Sequence, residues 1–340
     1  MDAHKTIQSV FHILGILVIL GFLSLQAGSC MLLVGAMSAG DESPSTHKTA
    51  KDSFAFGDEN AAATFLRVPV AGVISAEPDE NVIGIRRASL LESVQTLIDY
   101  ARDTQSIDGL LLDIDSPGGA VDPSDVLYRE LRRFREETGK PVVARMNGVA
   151  ASGAFYIAMG ADKILAHPSC LTGSIGVIMQ SWNGAGLLDR FGVELVTLTS
   201  GPNKDLLNPG KPVSAEHREI LQGIVDDAYV SFVDAVATGR DLDAARVREI
   251  ADGRIYTARQ AQELGLVDAV GYQPELLDML REVADAETVE VVDHAAPTQL
   301  WDLLSSLEGA VRGARPTAAI ERRLDQLAPS PGLYYLWPGF

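Results

Sequence analysis

Cysteine is nearly absent from this chain. Only Cys30 and Cys170 occur in 340 residues, one in an apolar amino-terminal run and one beside an apolar strand, so a disulfide framework is not what holds the fold together. No CxxC or HExxH spacing is present and the six histidines are scattered, which argues against a zinc site and makes chemistry without metal or cofactor the expectation. Positive charge is also short: 28 Lys and Arg stand against 46 Asp and Glu, a net charge of −18. That balance repels phosphate backbones, so nucleic acid is not an expected partner. No segment repeats at the period of about 20 to 50 residues that builds solenoids or propellers.

Charge of either sign is missing from Thr6 to Gly40. A membrane-spanning helix needs about 20 apolar residues, and the run from Val10 through FHILGILVILGFLSL into MLLVGAM supplies them, with Gly28, Ser29 and Cys30 interrupting. Three readings stay open. The run is a retained anchor; or a signal peptide cleaved at the small residues Ala27, Gly28 and Ser29, with Lys5 in front; or a signal for lipid attachment at Cys30, which Ala27 weakens. Each sends the remaining chain across a membrane. Residues 1–37 are therefore expected as an anchor or signal segment, 38–64, polar and small, as a flexible linker, 65–294 as the folded domain, and 295–340 as a helix with an aromatic tail.

Within the folded domain the pattern alternates. FLRVPVAGVIS from Phe65 is strand-like. Ser89 to Glu92 reads as a capping box, and Leu90, Leu91, Val94, Leu97, Ile98 and Ala101 follow at helical spacing. IDGLLLDID is a continuous apolar run, as a strand buried on both faces requires. After SPGG, Asp122 as N-cap and Pro123 in the first turn open a helix that Gly139 and Pro141 stop. PVVARMN is the next strand, with a helix expected to open in NGVAASGAFYIAMG; KILAHP, SIGVIM and GVELVTL complete the strands, and SAEHREILQGIVDDAYVSFVDAVATG is a long helix. Such alternation predicts an α/β fold with a mainly parallel sheet. Leu300, Leu303, Leu304, Leu307 and Val311 suggest one more helix before the packed or interfacial tail PGLYYLWPGF.

Three features carry chemistry. Ser152, between a strand and a helix, would meet backbone N–H groups and the positive end of a helix dipole, although its small neighbours also suit close packing. SPGG, Ser116 to Gly119, ends another strand, where glycines let N–H groups approach a developing oxyanion, or simply make a tight turn. Lys204 sits in SGPNKDLLNPGKP, and a lysine acts as a base only if its pKa falls from about 10.4 toward roughly 7 to 8 through burial or a neighbouring cation.

Together AASGAFYIAMGADKI, SPGG, LTGSIGV, the GPNKD loop and GRIYTARQAQELGLVDAVG resemble the bacterial signal peptide peptidase A family over roughly Phe65 to Asp285. Each motif is weakly specific; their order and spacing are not. The resemblance implies a Clp protease/crotonase-like fold of repeated β-β-α units with an N-terminal transmembrane segment. It further implies a membrane-attached serine endopeptidase working outside the cytoplasm of a bacterial cell on residual signal peptides or other membrane-derived apolar segments, and assembled as a ring-forming homo-oligomer. Ser152 would be the nucleophile, Lys204 the general base, and Ser174 the hydroxyl that orients the lysine. Gly153 with Gly118 or Gly119 would form the oxyanion hole. Ala154 departs from the family, which often has a second glycine there. A lone His167 beside Pro168 reads as structural, and Asp113, Asp115 and Asp205 are carboxylates the dyad does not require. Two other readings remain: a crotonase-type acyl-CoA enzyme, against which the export segment speaks, and a catalytically inactive membrane scaffold.

Overall fold

The computed structural model describes residues 52–80, 86–294 and 332–336. The expectations for residues 1–37 and for a helix around Leu300 to Val311 lie outside the described residues. All described residues belong to one compact unit, residues 50–340. Among them no helix is long and apolar enough to cross a membrane.

The strands in chain order are β1 (Asp52–Gly57), β2 (Ala63–Ala71), the short pair β3 (Asp79–Glu80) and β4 (Arg86–Arg87), β5 (Gly109–Ser116), β6 (Gly118–Ala120), β7 (Val142–Ala151), β8 (Lys163–Ala166), β9 (Leu171–Gly173), β10 (Ile178–Gln180), β11 (Ile255–Thr257), β12 (Ala269–Val270), β13 (Val289–His294) and β14 (Gly332–Leu336). The helices are α1 (Leu90–Asp103), α2 (Val121–Thr138), α3 (Gly153–Ala158), α4 (Ala185–Arg190), α5 (Ala215–Arg240), α6 (Ala244–Ile250), α7 (Ala258–Glu263) and α8 (Gln273–Ala284). The main sheet has the order β1-β13-β2-β5-β7-β8-β12, with β9 beside the end of β7 and β11 beside β9. From β13 to β12 every neighbour is parallel; β1 and β11 are antiparallel edges.

The apolar run of β5 shows why the sheet is central. Leu110, Leu112 and Ile114 enter the larger core with Leu127, Leu131 and Phe134 of α2, whereas Leu111 faces the opposite way, onto Leu276 and Leu280 of α8. Period-two alternation thus buries both faces. The capping box at α1 is present: Glu92 N donates to Ser89 Oγ at 3.1 Å and Ser89 N to Glu92 Oε2 at 2.9 Å. Ser89→Ala is expected to cost about 1 kcal/mol, read as a lower urea midpoint with unchanged slope; an unmoved midpoint would contradict it.

The structure corrects four boundaries. Residues 52–57, assigned to the linker, form β1 against β13, because Asp52 joins His294 (2.8 Å) and Tyr100 (2.8 Å) in one cluster. Helix α2 is capped by Ala120, and Asp122 falls in its first turn, where a carboxylate still favours the dipole. Strand β7 continues through NGVAA to Ala151, since Val149 to Ala151 gain β9 as a partner. GVELVTL forms no strand: Val193, Leu195, Val196 and Leu198 are exposed, without a paired neighbour among the described residues.

Candidate active site

Strand β7 uses two partners in succession, β8 along Val143 to Met146 and β9 along Val149 to Ala151. Between them its register against β5 shifts, and Asp115 Oδ1 accepts Val149 N (3.0 Å) within the irregularity. Ser152 follows directly. Its N–H donates to Gly173 O (2.8 Å), its carbonyl accepts Tyr156 N (2.9 Å) to start α3, and its backbone stands at φ 55, ψ −118. A residue with a Cβ at such a φ carries strain of about 1 to 3 kcal/mol. Strained strand-to-helix turns of this kind present nucleophiles. The small neighbours do pack closely, with Ala150, Ala151 and Ala154 fully buried, so packing and presentation coexist.

The Ser152 hydroxyl is the oddity. The residue is 1% exposed, and its Oγ is the one buried side-chain oxygen among the described residues without a hydrogen-bond partner. An orphan of that sort costs about 1 to 3 kcal/mol and needs an explanation.

The SPGG turn lies against it. Gly118 has φ 100, and its N–H donates to Ser116 Oγ at 3.1 Å. Ile74 clamps the turn, donating to Gly118 O and accepting from Ala120 N, both at 2.9 Å. A Cβ at Gly118 would stand 2.7 Å from Gly153 N, and a Cβ at Gly153 would stand 3.2 Å from Gly119 N and 2.6 Å from Ser124 Oγ. The SPGG backbone and the Gly153 N–H therefore share one small space that only glycines leave open.

Ser174 sits one residue beyond the carbonyl that binds Ser152, at φ 50 and nearly buried, with its N–H on Arg254 O (2.8 Å). Lys204 is not brought in. It is exposed in a turn closed by its own N–H on Gly201 O (3.2 Å), and no hydrogen bond joins it to Ser152 Oγ. Its neighbour Asp205 pairs with Lys211 (2.6 Å), a bond that holds the carboxyl below the usual carboxylate range. The remaining candidates are structural. Asp113 takes a bidentate Arg145 (2.8 and 2.6 Å), and His167 contacts Ser169 and the Tyr272 ring. Burial pushes the Cys170 thiol up to about 12, which leaves it a poor nucleophile. Among the described residues no cluster of three or more His, Cys, Asp or Glu is placed to hold a metal ion.

Ile74 gives no signal of its own, being one apolar residue in a strand-like run. Tyr335, in the tail expected to be packed or interfacial, does pack, against Tyr156 and Phe232 beside the glycines; its place next to the site had no signal in the sequence.

Residues 134–287 match peptidase family S49. A protein of Enterococcus faecium named as a signal peptide peptidase SppA is 34% identical over 79% of this chain and 80% of its own. The chain belongs to peptidase family S49. A Synechocystis protein named as a protease is 39% identical over 66% of this chain and 76% of its own, and the serine protease SPPA of Arabidopsis thaliana, chloroplastic, is 33% identical over 72% of this chain and 36% of its own. This S49 member is accordingly a serine peptidase. The family match spans Ser152, Ser174 and Lys204 and starts after the SPGG turn, which the fold then supplies from β5 and β6.

Proposed function

We propose that this S49 peptidase is a membrane-attached endopeptidase, with the fold that Clp-type proteases and crotonases share, and that Ser152 is its nucleophile. The observation that carries the reading is the buried, unpartnered Ser152 hydroxyl on a strained turn beside glycine N–H groups. In the reaction, Ser152 Oγ attacks the scissile carbonyl carbon and its proton passes to the Lys204 amine. The Gly153 N–H and one SPGG N–H receive the oxyanion. Gly119 suits the second role better than Gly118, whose N–H is already on Ser116 Oγ. When the C–N bond breaks, the Lys204 ammonium returns its proton to the leaving amine; water then opens the acyl-serine ester with the same lysine as base. Ser174, beside the Gly173 carbonyl, would orient the lysine.

Lys204 must reach Ser152 and leave water to do this. Its loop packs on the segment from Trp182 to Leu198, where Trp182, Leu187, Phe191, Val196 and Leu198 are exposed, and Gly184 N–H binds Pro209 O at 2.8 Å. An apolar surface of that kind suits burial against a second copy in a ring, which would carry the lysine to a neighbouring serine. The substrates we propose are extended apolar peptides, residual signal peptides among them, met on the extracytoplasmic side of a bacterial membrane.

Lys204→Arg keeps the charge and removes the base. Hydrolysis of an unstructured peptide should fall by about 10³-fold or more, with the melting temperature unchanged. Mixing this variant with Ser152→Ala should restore part of the activity if neighbours share sites. Full turnover by Lys204→Arg alone would exclude the lysine, and no recovery on mixing would place both groups in one copy.

A further inference from the structure

Two adjacent glycines solve one problem at the SPGG turn and create another. A Cβ on Gly119 would stand 2.0 Å from Ile74 O, and one on Gly118 would stand 2.7 Å from Gly153 N, so neither position has room for a side chain. Without side chains, however, the peptide that joins them turns over easily, because glycine accepts both signs of φ. That peptide is trans, with the Gly118 carbonyl on one side and the Gly119 N–H on the other. Turned by half a rotation, it would offer the site an oxygen in place of a donor. Its aim has to come from outside the two glycines.

Two holds supply it. Ile74, fully buried in the larger core, donates its N–H to Gly118 O and accepts Ala120 N, both at 2.9 Å. Because each peptide is trans, both polar groups of Gly119 are thereby turned away from Ile74, to the edge of β6 that pairs with β14 and that Gly153 borders. A Cβ on Gly153 would stand 3.2 Å from Gly119 N. The other hold is Ser116. It is fully buried, and its Oγ accepts the Gly118 N–H at 3.1 Å across Pro117, whose ring fixes the φ between them. A serine that bonds the N–H two residues on closes a local turn. Here that turn falls where β5 stops at Ser116 and β6 starts at Gly118, itself at φ 100.

We propose that Ser116 is a positioning residue for peptide hydrolysis. By holding the Gly118 N–H it keeps the Gly118–Gly119 peptide from turning, so that the Gly119 N–H, and not the Gly118 carbonyl, faces the oxyanion. Ser116 and Ile74 grip Gly118 from its two ends, one at its N–H and the other at its carbonyl. A donor set in place beforehand stabilises the transition state without reorganising, and a misplacement of about 1 Å costs about 10²-fold in rate. A bound peptide in its ground state carries no negative charge there, so its affinity is nearly indifferent to the aim. The proposal rests on the reading of SPGG as part of the oxyanion hole, and the test keeps the two apart.

Ser116→Ala and Ser116→Thr are compared in the full-length protein. Ser116→Ala should lower kcat for an unstructured peptide by about 10- to 100-fold and leave KM within about twofold. Ser116→Thr keeps the accepting oxygen and should recover most of the loss. The decisive probe is a peptide boronic acid with an apolar side chain next to the boron. Ser152 Oγ adds to the boron, the hydroxyl proton is released, and one oxygen of the tetrahedral boronate takes the oxyanion's place. Ser116→Ala should weaken this inhibition by the same factor as kcat. The dye-labelled substrate peptide should meanwhile bind Ser152→Ala, and Ser152→Ala with Ser116→Ala, alike. Native kcat and native boronate inhibition in a folded Ser116→Ala protein overturn the proposal. So does a loss that boronate and peptide binding share equally, which marks a collapsed cleft. Should Ser116→Ala fail to fold, Ser116→Cys, whose sulfur is a weak acceptor, takes its place and is expected to turn over more slowly than Ser116→Thr; equal rates then overturn the proposal. A native protein that shows no tetrahedral boron signal dependent on Ser152, by boron NMR, sinks the active-site reading itself. A clear signal that the Ser116 variants leave untouched sinks only the positioning role.

Discussion

Ser152→Ala should abolish peptide hydrolysis, by on the order of 10⁵-fold in kcat, and leave the protein at least as stable as before. The pairing of the two outcomes is what matters. A serine kept for structure makes a hydrogen bond whose loss lowers the melting temperature, but Ser152 Oγ has no partner to lose. Deleting it removes a buried polar atom that costs about 1 to 3 kcal/mol where it stands. The backbone strain at φ 55 remains, since alanine also carries a Cβ, so no large gain is expected. The measurement is a peptide turnover assay beside a thermal melt, with intact-mass detection of a serine-directed fluorophosphonate adduct on the native protein. A variant that still hydrolyses at a tenth of the native rate, or that melts well below it, refutes the nucleophile assignment.

Gly118→Ala should be nearly as damaging for a different reason. The position has φ 100, and the new methyl would stand 2.2 Å from Tyr335 O, 2.7 Å from Gly153 N and 3.0 Å from Ala151 O. None of these is the end of a flexible side chain. The turn must move, and with it one wall of the space beside Ser152. Losing a well-aimed oxyanion donor costs about 3 to 4 kcal/mol of transition-state stabilisation, roughly 10² to 10³-fold in kcat. The strained φ adds a folding penalty of about 1 to 3 kcal/mol. Native kcat in a folded Gly118→Ala protein would remove SPGG from the site. Gly139→Ala is the control: it also has a positive φ, but nothing lies within 4 Å of its added Cβ, so it tests strain without blockage.

Much of the arrangement could be read from residue order. The SLLE box, the run of β5, the stop at Gly139 and the parallel core are local signals, and packing agreed with each. GVELVTL misled because an alternating pattern announces a face to be covered and not the partner that covers it. NGVAA misled by its small residues, which serve a strand beside β9 as readily as a helix start. At the candidate site, Ser152 and the SPGG turn were visible because a hydroxyl between small residues at a strand end, and a pair of glycines at the end of another, are local chemistry. The orphaned state of that hydroxyl was not, since it depends on what β9, β6 and β14 leave open around it. Lys204 was singled out as a lysine in a Gly- and Pro-rich loop and given the role of base by resemblance; no periodicity could have revealed that its side chain is exposed within its own chain.

The positive φ at Ser152 has an evolutionary corollary. Glycine is the residue that accepts φ 55 and ψ −118 without strain, so Ser152→Gly would discard the hydroxyl and relax the turn together. With Ser152 as the proposed nucleophile, a silent descendant of this peptidase is one substitution away, and that substitution makes the turn more comfortable. Selection for turnover has to hold the serine against that slope in every generation. Lineages that came to need only the fold as a scaffold should show glycine at this position first.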